Sequence, residues 1–114
     1  MNVEEIVAKV AMYRPDTNLD LIRRAYSYAE EKHRGQLRES GEPYMEHPAA
    51  AAFLLADLQL GATSISAALL HDVVEDTGTK IEDIRAEFGE EIAKLVDGVT
   101  KLTKMGFKDK QVMQ

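Results

Sequence analysis

The sequence predicts an all-α helical bundle of about five or six helices. Three features predict it. Apolar residues recur at the spacing of a buried helical stripe, capping residues and glycine stops bracket these stretches, and the apolar/polar alternation of strands is almost absent. At 114 residues with 45% hydrophobic content, the chain makes one domain around a single core.

Each element has its own signals. Asn2 with Glu5 reads as a capping box for a first helix, whose Val3, Ile6, Val7 and Val10 share a stripe and which ends before Pro15. Thr17 or Asn18 caps a second helix that faces the core through Leu21, Ile22, Ala25, Tyr28 and Ala29, runs to about His33 and stops at Gly35. The polar stretch from Arg34 to Pro43 is the longest irregular piece, and such loops often carry function. Pro48 suits a first helical turn, which places His47 at or near the cap of a third helix through Leu60, ended by Gly61. Thr63 then caps a fourth helix. Its run Ile65-Ser66-Ala67-Ala68-Leu69-Leu70 is apolar on nearly every face, the mark of a helix buried inside a bundle, and Gly78 lies just beyond it.

Thr79 with Glu82 reads as a capping box for a fifth helix with Ile81, Ile84 and Phe88 inward and Gly89 as the stop. A sixth runs from about Glu90 through Leu102, with Ile92, Leu95, Val96, Val99 and Leu102 as its inner face and Gly98 weakening it locally. The tail from Gly106 to Gln114 carries no stop signal and no closing element. The expectation is therefore that residues 1–114 are the N-terminal part of a single domain whose C-terminal helices are missing.

Composition excludes several function classes. A net charge of −6 argues against a nucleic-acid or anionic-membrane surface, either of which asks for an excess of Lys and Arg. The absence of cysteine removes disulfides, thiolate metal sites and cysteine nucleophiles. No apolar run approaches the roughly 20 residues that span a bilayer, and the acidic start lacks a signal pattern. A cytoplasmic location is the expectation.

The chemistry concentrates in Tyr44-Met45-Glu46-His47-Pro48 and Leu69-Leu70-His71-Asp72-Val73-Val74-Glu75-Asp76-Thr77, which set His47, His71 and the carboxylates Asp72, Glu75 and Asp76 around one apolar helix. Ionisable groups at the end of a buried helix are costly unless paired, hydrated or coordinated, so the pattern points to a divalent ion in a polar cleft. Glu75 lies one turn beyond His71, and Asp76 one turn beyond Asp72, so both can project toward the same edge. Simpler roles compete residue by residue. His47 alone suits a structural cap, His33 a helix-end histidine interacting with the dipole, and Arg38 a solvated loop charge. Glu75 and Asp76 could simply end a helix, but there they oppose its dipole and ask for a compensating cation.

The run His33-Arg34-Gly35-Gln36-Leu37-Arg38-Glu39-Ser40-Gly41-Glu42-Pro43-Tyr44-Met45-Glu46-His47-Pro48, the run Leu70 to Thr77, Phe88-Gly89, and Val96-Asp97-Gly98-Val99-Thr100-Lys101-Leu102 together resemble the amino-terminal hydrolase domain of RelA/SpoT-type proteins. These are the bifunctional enzymes of guanosine tetra- and pentaphosphate metabolism. The resemblance implies an HD-type helical domain that removes the 3′-pyrophosphate of (p)ppGpp with a manganese ion. It implies His47, His71 and Asp72 as metal ligands and a further aspartate from a later Asp-Arg-Leu-His-Asn type motif, which Asp83, Asp97 and Asp109 do not match. It assigns Glu75 and Asp76 to positioning or deprotonating the attacking water, and Arg38, Ser40 and Tyr44 to the guanosine nucleotide. Glu39 stands where a basic residue is common. The partners implied are the guanosine nucleotide and a downstream synthetase domain. With the last ligand outside the sequence, this chain alone is expected to have little activity, and uncovered apolar faces to make it a homo-oligomer. An HD phosphohydrolase of another nucleotide and a non-catalytic regulatory HD domain are the alternatives.

Overall fold

The computed structural model describes residues 2–34, 41 and 45–113, with side chains as far as residue 101. Six helices follow one another: α1 (Val3–Tyr13), α2 (Leu19–Lys32), α3 (Glu46–Asp57), α4 (Ala62–Asp76), α5 (Ile81–Phe88) and α6 (Glu90–Met113). Among the described residues there is no strand, and no helix is long and apolar enough to cross a membrane.

Helix α4 is the centre of the bundle. α2, α3 and α6 all pack on it, α1 bridges α2 and α3, and α5 lies against α6. Its sequence explains the position, because Ile65, Ser66, Ala67, Leu69, Leu70, Asp72 and Val73 are all buried and leave little polar face for solvent. The neighbours approach closely because they meet it with small residues: Ala25 and Ala29 are buried on α2, and Ala49, Ala52 and Ala56 on α3. Fully burying a side chain such as Ile22, Ile65 or Leu69 contributes about 1.5–3 kcal/mol.

The N-terminal caps of α1 and α2 form as the sequence predicts. The Asn2 side chain accepts the Glu5 N–H at 3.1 Å while Glu5 Oε1 accepts the Asn2 N–H at 3.3 Å. Of the two candidates for α2, Asn18 is the cap, accepting the Leu21 N–H at 3.1 Å. Gly89 ends α5 at φ 96, a left-handed conformation that favours glycine.

Four boundaries before α6 differ from expectation. α3 begins at Glu46, so His47 and Pro48 lie within its first turn and Met45 precedes them. Proline is tolerated there because first-turn N–H groups have no helical partner in any case. At the other end α3 stops at Asp57, where Gln59 adopts φ 63 and the Leu60 N–H returns to the Leu55 carbonyl at 3.2 Å. The Tyr13 hydroxyl donates to the Leu60 carbonyl at 2.6 Å and ties this corner to α1. Gly61 is consequently the extended N-cap of α4 rather than the stop of α3, and Thr63 lies inside α4. α5 starts one residue late: Thr79 hydrogen-bonds Thr77, while Asp83, not Glu82, accepts the N–H at the cap position, Lys80, at 3.0 Å.

α6 continues past Leu102 to Met113 without breaking at Gly98. Its inner face is rotated from the expected one. Ile92, Ala93, Val96 and Thr100 are buried, Leu95 is 38% exposed, Val99 is half-buried, and the Leu102 side chain lies outside the described residues. Packing against α4 and α5 together selects this face, and Ala93 and Thr100 are too small or too polar to stand out in a hydrophobic stripe.

Candidate metal centre

The C-terminal half of α4 builds the site. Burial of Leu69, Leu70 and Val73 fixes the helix in the core, so its last two turns carry His71, Asp72 and Glu75 to the boundary between core and solvent. The end is closed by Thr77, whose N–H and hydroxyl both donate to the Val73 carbonyl, at 3.1 and 2.6 Å. Gly78 at φ 76 then turns the chain away.

One ligand atom from each of His71, Asp72 and Glu75 lies within 4.8 Å of the others. His71 Nδ1 meets the Ala68 carbonyl at 2.7 Å, and Nε2 meets Asp72 Oδ1 at 2.9 Å. From α3, His47 Nε2 reaches within 3.7 Å of the other Asp72 oxygen, Oδ2. Both expected imidazole ligands therefore converge on one carboxylate. Asp76, the last residue of α4, is exposed and stands outside the His71–Asp72–Glu75 group. Arg38, Ser40 and Tyr44, the residues expected to bind nucleotide, lie outside the described residues, as does Glu39.

The electrostatics are those of a coupled acid–base pair. The Asp72 hydrogen bond pushes the His71 imidazole up to about 9; burial opposes this, while the Ala68 carbonyl and the charges of Asp72 and Glu75 reinforce it. For Asp72, burial pushes the carboxyl up, but the His71 hydrogen bond and the charges of His71, His47 and His33 outweigh it and hold the group below its ordinary value. His33 was read from sequence as a helix-end histidine facing the dipole. It does cap the C-terminus of α2, and it is 3% exposed there.

The donor set fits a divalent cation. With Nδ1–H donated to a backbone carbonyl, neutral His71 presents its Nε2 lone pair in a fixed direction, the arrangement metal-binding histidines use. Asp72 Oδ2 is buried and, among the described residues, accepts no hydrogen bond, so a charge-bearing oxygen is left to be satisfied. Mixed imidazole and carboxylate donors suit borderline ions such as manganese, iron or zinc.

The HD-domain family matches residues 25–113, more than three quarters of the chain and the whole of this site. The chain belongs to the HD-domain family. HD domains bind divalent metals, and the His71–Asp72–Glu75 group just described, a possible metal-binding group, lies within the matched residues. Its relatives are RelA/SpoT-type enzymes. It is 46% identical over 114 residues to the GTP pyrophosphokinase rsh of Brucella melitensis, covering 100% of this chain and 15% of that protein. It is 52% identical over 95 residues to a GTP pyrophosphokinase of Myxococcus xanthus, covering 83% of this chain and 12% of the relative. With the bifunctional (p)ppGpp synthase/hydrolase SpoT of Escherichia coli it shares 43% identity over 111 residues, 97% of this chain and 16% of SpoT. The HD domain thus spans roughly a seventh of the length of these relatives.

Proposed function

We propose that this HD domain is the metal-dependent (p)ppGpp 3′-pyrophosphohydrolase unit of a longer, cytoplasmic (p)ppGpp synthetase/hydrolase, with manganese as its ion and a synthetase domain elsewhere in the same protein. The observation that carries the reading is the convergence of His47 and His71 on Asp72, with Glu75 alongside, at the end of the central helix. His47, His71 and Asp72 would hold the ion, joined by a further ligand from the longer protein. When bound, the ion lowers the pKa of water and offsets charge on the phosphoryl group.

The chain's own groups do the rest. Ala68 keeps His71 in the tautomer that offers Nε2. Glu75, exposed and at the edge of the cluster, is the base that takes a proton from the attacking water, and Asp76 orients that water from the next position. The water oxygen bonds to the phosphorus attached to the ribose O3′, the P–O3′ bond breaks, and O3′ leaves with a proton. The products are GDP and pyrophosphate. Arg38, Ser40 and Tyr44 grip the guanosine nucleotide. The names of the relatives support this substrate class, since one of them is a (p)ppGpp synthase/hydrolase.

The test is ppGpp turnover by the full-length protein carrying this domain, with manganese and with chelator. Release of GDP and pyrophosphate that stops on chelation is the expected result. Undiminished turnover in chelator would remove the metal. Turnover of other nucleotides but not ppGpp would assign the same site to another substrate, and no turnover of any would leave a regulatory domain.

A further inference from the structure

The proposed base, Glu75, sits exposed on the last turn of α4, where a helix is weakest. The final carbonyls of a helix have no N–H from within it to accept, so its last turn frays unless something closes it. In this turn Glu75 and Asp76 place negative charge at the negative end of the helix dipole, and no basic residue of the turn offsets them. An exposed carboxylate on a fraying turn samples many positions, whereas proton transfer asks for one within hydrogen-bond reach of the water.

The Thr77-Gly78-Thr79 corner closes it. Thr77 donates twice to the Val73 carbonyl, through its N–H at 3.1 Å and its hydroxyl at 2.6 Å. Val73 is fully buried, so the ring closed on it ties Val74, Glu75 and Asp76 to the core. The Thr77 and Thr79 hydroxyl oxygens are 2.8 Å apart. A hydroxyl carries one hydrogen, and that of Thr77 is taken by Val73, so Thr79 is the donor and the bonds run from Thr79 to Thr77 to Val73. Thr79 is 8% exposed, which limits competition from water. Between them Gly78 holds φ 76, and a Cβ there would meet nothing within 4 Å, so the corner calls for the backbone freedom of glycine rather than for space. A threonine that bonds the carbonyl four residues back is common within helices. Here that hydroxyl is itself held from outside the helix by a buried one, and it comes from the residue whose sequence position suits it to cap α5.

We propose that Thr77 is a positioning residue, backed by Thr79: the two hydroxyls lock the last turn of α4 onto the Val73 carbonyl and so hold the Glu75 carboxylate beside the His71–Asp72 pair. The inference rests on the reading of Glu75 as the base of this site.

Thr77→Val, which keeps the shape and removes the hydroxyl, tests it in the full-length protein, with Thr77→Ser to restore the donor and Thr79→Val to remove its support. The expected result in Thr77→Val is a fall in kcat for ppGpp hydrolysis of about 10–100-fold, the cost of a small misplacement, with KM and manganese affinity within about threefold of the parent. Thr77→Ser recovers most of the loss, and Thr79→Val falls between the two. Hydrogen exchange in chelator gives a readout that needs neither metal nor substrate. Loss of one hydrogen bond is expected to speed exchange of the amides at the end of α4 by about three- to tenfold in Thr77→Val and to leave those of α2 unchanged. Unchanged kcat in Thr77→Val overturns the proposal. So does an equal fall in Thr77→Ser, and so does a fall matched by loss of manganese affinity, which a site damaged as a whole would give. If Thr77→Val does not fold, Thr79→Val and Thr79→Ser carry the comparison: a fall in the first that the second restores supports the role, and equal values overturn it. Should the parent hydrolyse no ppGpp, the functional reading fails by itself; faster exchange at the end of α4 in Thr77→Val then still supports the lock, and unchanged exchange overturns it.

Discussion

His71 links protonation, metal and stability at a single atom. In the metal-free fold both its nitrogens face oxygen acceptors, which favours the imidazolium and places its pKa near 9 against an ordinary 6.5. A group raised on folding stabilises fully below its unfolded value, and that contribution fades as pH rises through the folded value. In chelator the melting temperature is therefore expected to fall between about pH 6.5 and 9, and His71→Gln to flatten that slope. A flat profile in the parent would dispose of the His71–Asp72 pairing. An ion competes for the same Nε2, so manganese affinity should rise across the same window. A second expectation concerns Glu75. Removing a base while keeping the metal ligands lowers turnover by about 10²–10⁴-fold with little change in metal affinity, so Glu75→Gln in the full-length protein should do both. Turnover equal to that of the parent would take Glu75 out of the mechanism. Most of this cluster was legible because His71, Asp72 and Glu75 are close in sequence on one apolar helix, and His47 sits beside a proline in the first turn of another. The burial of His33 was not, since a lone histidine at a helix end looks the same whether it faces solvent or the core.

At the scale of elements, caps were legible where a side chain acts within its own turn, as at Asn2 and Asn18. They were misplaced where a tertiary contact decides. Gly61 and Thr63 look like a stop followed by a cap, but Tyr13 from α1 fixes Leu60, and the α3–α4 corner is set from outside the segment. At α5 a local competitor decides: Thr79 bonds Thr77, the cap position passes to Lys80, and Asp83 takes the part expected of Glu82. The rotated face of α6 again has a tertiary origin: two packing partners, not one stripe, determine which residues are covered. These assignments lead to a measurable contrast. Asn18→Ala removes one cap bond and should cost about 1 kcal/mol, whereas Thr17→Ala should be near neutral. Leu69→Ala empties part of the fully buried core of α4 and should cost about 2–5 kcal/mol. Urea unfolding at constant slope resolves both; equal costs for Asn18 and Thr17 would refute the cap assignment.

The whole molecule carries its apolar surface unevenly. Leu54 on α3 and Leu58, one turn later at its C-cap, are 62% and 67% exposed. Nearby, Leu55 of α3 and Leu95 and Val99 of α6 wall a cavity of about 250 Å³ over Ser64, Ala67 and Ala68 of α4, reaching His71. Two helices thus present hydrophobic side chains around the face of the central one. Single exposed leucines need no explanation, but a contiguous apolar region on a small domain favours association. The opposing force is the net charge of −6, and its reach is limited to a Debye length of about 8 Å at physiological salt. Because burial acts at contact and repulsion is screened beyond it, association should win as concentration rises. Light scattering during size-exclusion chromatography, run across a hundredfold range of concentration of about 1–100 μM, is expected to show a mass that grows from monomer. Replacing Leu54 and Leu58 with lysine should return the chain to monomer, because each exchange removes apolar area from the face. Lysine also reduces the net negative charge, so the same pair replaced with glutamate separates the two effects: if hydrophobic contact governs, both double variants are monomeric. A parent chain that stays strictly monomeric throughout would show that these leucines drive no association.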